Sequence, residues 1–490
     1  MAGHKLLAGW SSIDITPSKK VSLQGQYHER ISEGVHDPIY ATALAIESRN
    51  EDGSVNDHAI MISCDLVGIE KIMLDKLREK LNGKVQELDP KKILAFATHT
   101  HTAPCVLGDT FDRLNWNKWK TLSKDEYMHP NEYMDFLVDK LVHIVIEAWK
   151  NRKPAKVSIE LGHAVLGHCR RVVFEDRAVM YASPDTADFL RLEGPSDHGV
   201  ELMYFWDMED KLTGVIVNVA CPAQVVEGLN VISADYLGAA RRQIKERISQ
   251  DIYVLPQVAP AGDQSPRDLI RRYKSEDNMF TNNLEGMEEL GSRVADAVVK
   301  KYESAKKKAQ SDLVFKHLVF KHIVEDIYLP IRKVTQGEVE WAQKNYEELM
   351  KNYNSESELQ GRDLVKLTDY RAIFIRKEAQ EKASFYKVEL HAIRLGDAAF
   401  VTNPFELYIE YGLRIKARSK AKQTFAIQLS CGSGAYLPTR QAITGGSYGA
   451  NVSNGIVGPE GGDLLVEHSI AAINRLWGEK GYLENWRFGG

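Results

Sequence analysis

Two histidines two residues apart, in Thr98-His99-Thr100-His101-Thr102-Ala103-Pro104, come directly after the short apolar run 93–97. Imidazoles held together at a strand end can bind a metal, pass a proton, or do one of each. If the extended conformation persists past Ala97, side chains at i and i+2 point the same way. His99 and His101 then face one pocket, with Thr98, Thr100 and Thr102 on the other side. Four further segments put a reactive side chain at a strand exit or a helix start: Ala220-Cys221-Pro222, Gly262-Asp263-Gln264-Ser265-Pro266, Pro404-Phe405-Glu406 and Ala435-Tyr436-Leu437-Pro438-Thr439. Functional groups concentrate at such places in α/β proteins. Each segment also has a plain structural reading. Asp263 and Ser265 suit a turn, Glu406 suits the first turn of a helix, and a buried Cys221 behaves as a small hydrophobe.

The elements that must position these groups are legible from periodicity. The run 58–66 is nearly unbroken apolar, 69–81 has helical spacing, and 93–97 is apolar again. Strand, helix, strand in that order predicts a βαβ unit. Pro130 at a first helical position opens a helix over 131–150. Strands are predicted over 39–47, 156–165, 200–208, 212–221, 252–258, 313–324, 388–395, 398–402 and 425–429. The strands on either side of Glu209-Asp210 pair as a hairpin. Helices are expected over 235–248, 284–308, 405–417 and 464–477, and two charge-rich stretches, 338–352 and 364–382, form a helical insertion within 335–382 at the pocket rim. The fold class is α/β, with mixed β-sheets flanked by helices in one large catalytic unit spanning 1–490.

Composition narrows the function. A net charge of −5 and a pI near 6.3, with no basic stripe, exclude nucleic acid as the expected partner. The five scattered cysteines form no CxxC pair and imply no disulfide framework. No apolar run approaches the roughly 18 residues needed to span a bilayer. The first residues, MAGHKLLAGW, lack a signal-peptide core, which fits a cytoplasmic protein or an exported one whose signal has been removed.

The motifs together resemble the neutral/alkaline (non-lysosomal) ceramidases and their bacterial ceramidase-like relatives. The family's THTHSGP matches Thr98 to Pro104, and its GDxSP matches Gly262 to Pro266. Its Gly-x-His turn matches Gly34-Val35-His36, its Pro-Gly-Glu matches Pro404-Phe405-Glu406, and its Tyr-x-x-Thr matches Tyr436 to Thr439, with Tyr448 at a second family tyrosine. The resemblance implies a ceramidase catalytic-domain fold without a C-terminal immunoglobulin-like domain, and a Zn2+-dependent amidohydrolase that cleaves an N-acyl (amide) linkage. It further implies His99, Cys221, Glu406 and Tyr436 as metal ligands, His101 as proton carrier, and Ser265 as nucleophile or substrate-orienting hydroxyl. Tyr436 would also stabilise the oxyanion, and Tyr448 and Arg170 would bind substrate. Cys221 stands where the family has a histidine and Cys169 where it has an asparagine. The expected substrate is a small molecule derived from a lipid or a glycan. A lyase or glycosidase working in the same pocket, and a metal-free ligand-binding protein, are the competing readings; oligomeric state is left open.

Overall fold

Three times along the chain a buried apolar strand is followed by an amphipathic helix and a second buried strand, and each time the two strands pair in parallel. A computed structural model describes residues 5–108, 111, 118–272, 280–310, 318–359 and 361–479. The first sheet is built from β1 (Lys5–Asp14), β2 (Tyr40–Arg49), β3 (Val55–Cys64) and β4 (Ile93–Ala97), in the order β4-β3-β2-β1, with the two-residue strand Lys153–Pro154 paired antiparallel at the outer edge of β1. Strands β1, β2 and β3 pair antiparallel, while β4 returns parallel to β3 through α1 (Lys71–Leu81). Helix α2 (Pro130–Lys150) has Pro130 in its first turn, where no amide hydrogen is needed, and buries Tyr133, Leu137, Leu141, Ile144 and Ala148 along one face.

The second sheet repeats the plan with β5 (Lys156–His163), β6 (Gly199–Trp206), β7 (Leu212–Val219) and β8 (Tyr253–Val258), in the order β8-β7-β6-β5. The hairpin β6–β7 is antiparallel, and α3 (Asp235–Arg247) carries the chain to the parallel strand β8. Helix α4 (Leu284–Ala309), capped by Asn283, covers α3 and β5. The third sheet comprises β9 (Phe320–Pro330), β10 (Phe385–Leu395), β11 (Ala398–Thr402) and β12 (Gln423–Ile427), in that order. Between β9 and β10 stand α5 (Gln336–Met350), started by a Thr335–Glu338 capping box, and α6 (Gly361–Lys382). They pack on each other around Ala342, Leu367, Tyr370 and Ile373. Helix α7 (Ile409–Arg418) links β11 to the parallel strand β12, and α8 (Pro459–Leu476) closes the chain over this sheet.

The fold is therefore the mixed α/β class predicted. One core joins the three sheets: Ile60, Met61 and Phe96 from the first share it with Phe205, Ile216 and Leu255 from the second and Phe400, Phe425 and Ile427 from the third. Two local expectations change. Residues 405–407 do not open a helix; Glu406–Leu407 is a short strand paired in parallel with Tyr436–Leu437, and the helix starts at Ile409. Residues 311–317, part of the strand expected over 313–324, lie outside the described residues; the strand there runs from Phe320 to Pro330.

Trp10 ties the first sheet to the second. Its ring stacks on Tyr253 at 5.7 Å and meets Phe205 edge-on at 5.3 Å, and Gly214 leaves room for it, since a Cβ there would come within 2.6 Å of the indole. Trp10→Ala is expected to destabilise the protein by about 3–5 kcal/mol, measured as a shift of the urea midpoint with unchanged slope.

Candidate functional site

The parallel strand pairs place their loops at one end, so the site is built from the segments immediately after β3, β4, β7, β8, β11 and β12. After β4 the extended run does not persist. His99 takes φ +65°, left-handed backbone that a non-glycine residue rarely adopts, and such outliers concentrate at functional sites. The two rings nevertheless meet, with centroids 4.7 Å apart and Nε2 atoms 3.3 Å apart. The threonines do turn away: Thr100 and Thr102 donate through Oγ1 to the Ser233 carbonyl at 2.8 and 3.0 Å. Gly25 at φ +109° lets the backbone pass His101, because a Cβ there would lie 2.4 Å from its Cγ.

Partners assign the tautomers. His99 Nδ1 lies 2.7 Å from the Val67 carbonyl, which only accepts, so Nδ1 carries the hydrogen and Nε2 offers its lone pair to the pocket. His101 Nε2 lies 2.8 Å from the Gln224 amide nitrogen and accepts from it. Its Nδ1 then carries hydrogen and faces Glu227 Oε2 at 3.4 Å, and Glu227 is in turn paired with Arg267.

Glu406 enters from the other side. It is the register partner of Tyr436, with its backbone amide donating to the Ala435 carbonyl at 2.9 Å. Its carboxylate stands 3.4 Å from His99 Nε2. The Gly262–Pro266 segment packs directly behind: a Cβ on Gly262 would lie 2.3 Å from the Glu406 carbonyl oxygen, and Asp263 accepts from the Ile409 amide at the start of α7. Arg170 crosses the pocket, donating from Nη2 to the Tyr436 hydroxyl at 3.1 Å and the Gly262 carbonyl at 2.7 Å. The Tyr436 and Tyr448 rings meet edge to face at 5.3 Å, and Tyr27 lies beyond at 5.9 Å from Tyr448.

The electrostatics are set by burial and these partners. Burial, then the neighbouring His99 and the guanidiniums of Arg30, Arg170 and Arg267, hold His101 well below the usual histidine range, so it is a neutral ring. Burial pushes Glu406 up, but His99, Arg170 and Tyr436 together outweigh it and keep the carboxyl below its ordinary value. Burial and the Glu406 charge push the Tyr436 phenol well up. Burial lifts the Asp263 carboxyl to about 6.

His99, His101, Glu406, Tyr436, Tyr448 and Arg170 thus come together. Ser265 is one short strand away: residues 264–265 pair with His168–Cys169 beside Arg170, and Ser265 Oγ accepts from the Arg267 amide at 3.2 Å, which is turn chemistry. Cys221 differs from the expectation that it completes a ligand set. It is fully buried among Ala223, Val225, Leu166 and Tyr236, its thiol lies 3.6 Å from the Pro222 carbonyl, and burial pushes it up in pKa. It does not gather with His99 and Glu406; the one His/Cys/acid trio with ligand atoms all within 4.8 Å among the described residues is Glu389, His391 and Cys431. The loop after β7 instead sends Gln224 and Glu227 to His101. Sequence reasoning missed both, and Arg267 too, although each lies within a few residues of a segment it singled out. Among the pocket groups, His99 Nε2, the Glu406 carboxylate and the Tyr436 hydroxyl form a contiguous nitrogen–oxygen–oxygen donor set, and the unprotonated Nε2 of His99 facing a carboxylate fits a divalent cation.

Two measurements probe this description. Cys221→Ala is expected to cost about 1 kcal/mol and leave metal content unchanged, by denaturation and elemental analysis. His101 has a depressed folded-state pKa, so the stability it confers is present above its ordinary value of 6.5 and is lost as pH falls. The drop in urea midpoint from about pH 7 to about pH 5 is therefore expected to be smaller in His101→Gln than in the wild type; equal drops would refute the assignment.

No protein-family model and no curated protein matches the sequence. Solved structures do match in fold. Neutral ceramidase from Pseudomonas aeruginosa superposes with a TM-score of 0.68 at 15% identity, covering 97% of this chain and 75% of that one. A structure described as ceramidase complexed with C2 gives 0.65 at 14% identity, covering 98% and 76%. The chain has the ceramidase fold over nearly its whole length.

Proposed function

We propose that the protein is a hydrolase of an N-acyl (amide) linkage, with its reaction centre at His99, His101, Glu406, Tyr436 and Arg170. The observation that carries this reading is the buried succession His101–His99–Glu406–Tyr436 with Arg170 lying across it. The likeness in fold to solved neutral ceramidases supports it. His99, Glu406 and Tyr436 would hold a zinc ion, which when bound supplies a Lewis acid for the amide carbonyl. The remaining groups have roles set by their environments. His101, neutral and fixed by Gln224 and Glu227, takes up and delivers the proton needed by the leaving amine. Arg170 and the Tyr436 hydroxyl stand as donors for the oxygen that becomes negative in the tetrahedral intermediate. Tyr448 and Tyr27 form an aromatic wall on which substrate is oriented. Ser265, with its own hydrogen still free to donate, orients from the adjoining turn.

A second reading has its own observation. Arg170 Nε and Arg267 Nε are buried without partners, and guanidinium donors of this kind suit a carboxylate. A uronic-acid glycan cleaved by a lyase or glycosidase would use the same pocket.

One screen separates the two. The zinc-loaded protein is offered N-acyl amides of varied head group alongside uronate-containing glycans, with release of amine and of reducing or unsaturated ends monitored. Amine release, reduced at least about 100-fold in Glu406→Gln and Tyr436→Phe, supports the amidase. Glycan cleavage without amine release would replace it by the second reading.

A further inference from the structure

A second cluster, joined to the middle of β4 through Cys431 rather than built at the strand's end, has the geometry of a cation site. Glu389 and His391 lie on β10, two residues apart and so on one face, and Cys431 comes after β12. Their ligand atoms all fall within 4.8 Å of one another; an ion with bonds of about 2.0–2.3 Å holds neighbouring donors roughly 3–4 Å apart. Cys431 and Glu389 line a cavity of about 660 Å3 whose walls include none of His99, His101, Glu406, Tyr436 and Arg170.

The hydrogen-bond order calls for a positive charge at this point. His322 Nδ1 lies 3.1 Å from the His58 carbonyl, which only accepts, so that nitrogen carries the hydrogen. Two touching buried imidazoles do not both carry charge, so His322 Nε2 accepts from His391 Nδ1 at 3.0 Å. The lone pair of His391 Nε2 then points at Glu389 Oε1, 2.9 Å away. Two acceptors face each other, and only a proton or a metal ion reconciles them. Arg78 fixes the carboxylate from outside with donors at 2.6 and 2.9 Å, leaving lone pairs on both oxygens. The backbone aims the thiol: Cys431 sits at φ +60° with its amide bound to the Ala95 carbonyl at 2.9 Å.

We propose that Glu389, His391 and Cys431 form a metal site that takes one thiophilic divalent cation of the zinc class, with its fourth position open to the cavity. A thiolate, an imidazole and a carboxylate favour zinc over magnesium or calcium. The second partner on His391 and the arginine on Glu389 are the outer contacts that orient ligands of such sites. Binding forms metal–sulfur, metal–nitrogen and metal–oxygen bonds. It releases to solvent the thiol proton and the proton held between His391 and Glu389, and involves no redox change.

The test is titration of the chelator-stripped, full-length chain with Co2+. A thiolate-to-cobalt charge-transfer band in the near ultraviolet is expected, saturating with the intensity of one thiolate-bound cobalt per chain. The band should vanish in Cys431→Ser, weaken in affinity at least tenfold in Glu389→Gln, and persist in His99→Ala, which separates this site from the pocket proposed above. Absence of the band in the wild type, its survival in Cys431→Ser, or its loss in a folded His99→Ala would overturn the proposal. Zinc-edge absorption on the wild type gives a check free of any variant: a sulfur scatterer at about 2.3 Å supports the site, and a shell of nitrogen and oxygen alone rejects it.

Discussion

The contact between His99 Nε2 and the Glu406 carboxylate is the constraint around which the rest of the site is arranged. A carboxylate taken out of water is destabilising unless other groups replace the lost hydration. Here the Arg170 charge and the Tyr436 phenol replace part of it, and the unprotonated Nε2 of His99 leaves the space beside the carboxylate suited to a cation. Removing one member of such a buried set costs about 3–5 kcal/mol, because the others are left uncompensated. The cluster therefore strains the fold, and the Val67, Gln224 and Gly262 contacts hold its members in place.

Topology offsets that strain. Each of the three large sheets contains one parallel pair linked by a helix, and the ends of those pairs lead into the site: His99 after β4, Gln224 after β7, Gly262 after β8, Glu406 after β11 and Tyr436 after β12. Open α/β sheets bind ligands outside the carboxyl ends of their strands, and three such ends share one core here. The small residues at the junction are matched to this convergence. Gly262 has Glu406 backbone where a Cβ would be, and Gly25 has the His101 ring. A side chain at either position would push an element of the site outward.

How much of this can be read from sequence depends on whether the signal is local. The βαβ unit around α1 is legible because a buried strand, an amphipathic helix and a second buried strand each have their own periodicity. The five site segments are legible as strand exits carrying reactive side chains. Glu406 is misplaced onto a helix start because Pro404-Phe405-Glu406 looks like a first turn; its pairing with Tyr436, thirty residues on, is a non-local hydrogen bond that the local pattern cannot announce. The fate of Cys221 is equally invisible: it is buried in the core cluster that holds Val225, Leu166 and Tyr236, with its thiol 3.6 Å from the Pro222 carbonyl. Gln224, Glu227 and Arg267 lie close to singled-out segments, but nothing local marks them, and only the closing of their loops brings Gln224 and Glu227 to His101 and Arg267 to Glu227.

The two titratable clusters of this protein use one device with different outer partners. In each, a histidine is held in a single tautomer by a chain that ends on a main-chain carbonyl, directly from Val67 for His99 and through His322 from His58 for His391. In each, the free ring nitrogen faces a glutamate that an aromatic or a guanidinium group holds from behind. What differs is the third donor. Tyr436 is a hard phenol whose burial keeps it protonated, so it can also donate a hydrogen bond to substrate oxygen. Cys431 is a soft sulfur with little hydrogen-bonding capacity. A hard donor beside Arg170 and two further tyrosines suits a site where substrate must be gripped and turned over. A soft donor at the wall of a separate cavity suits one where a cation is retained. Under the two proposals, the identity of one side chain, tyrosine or cysteine, would divide the labour between two otherwise parallel arrangements.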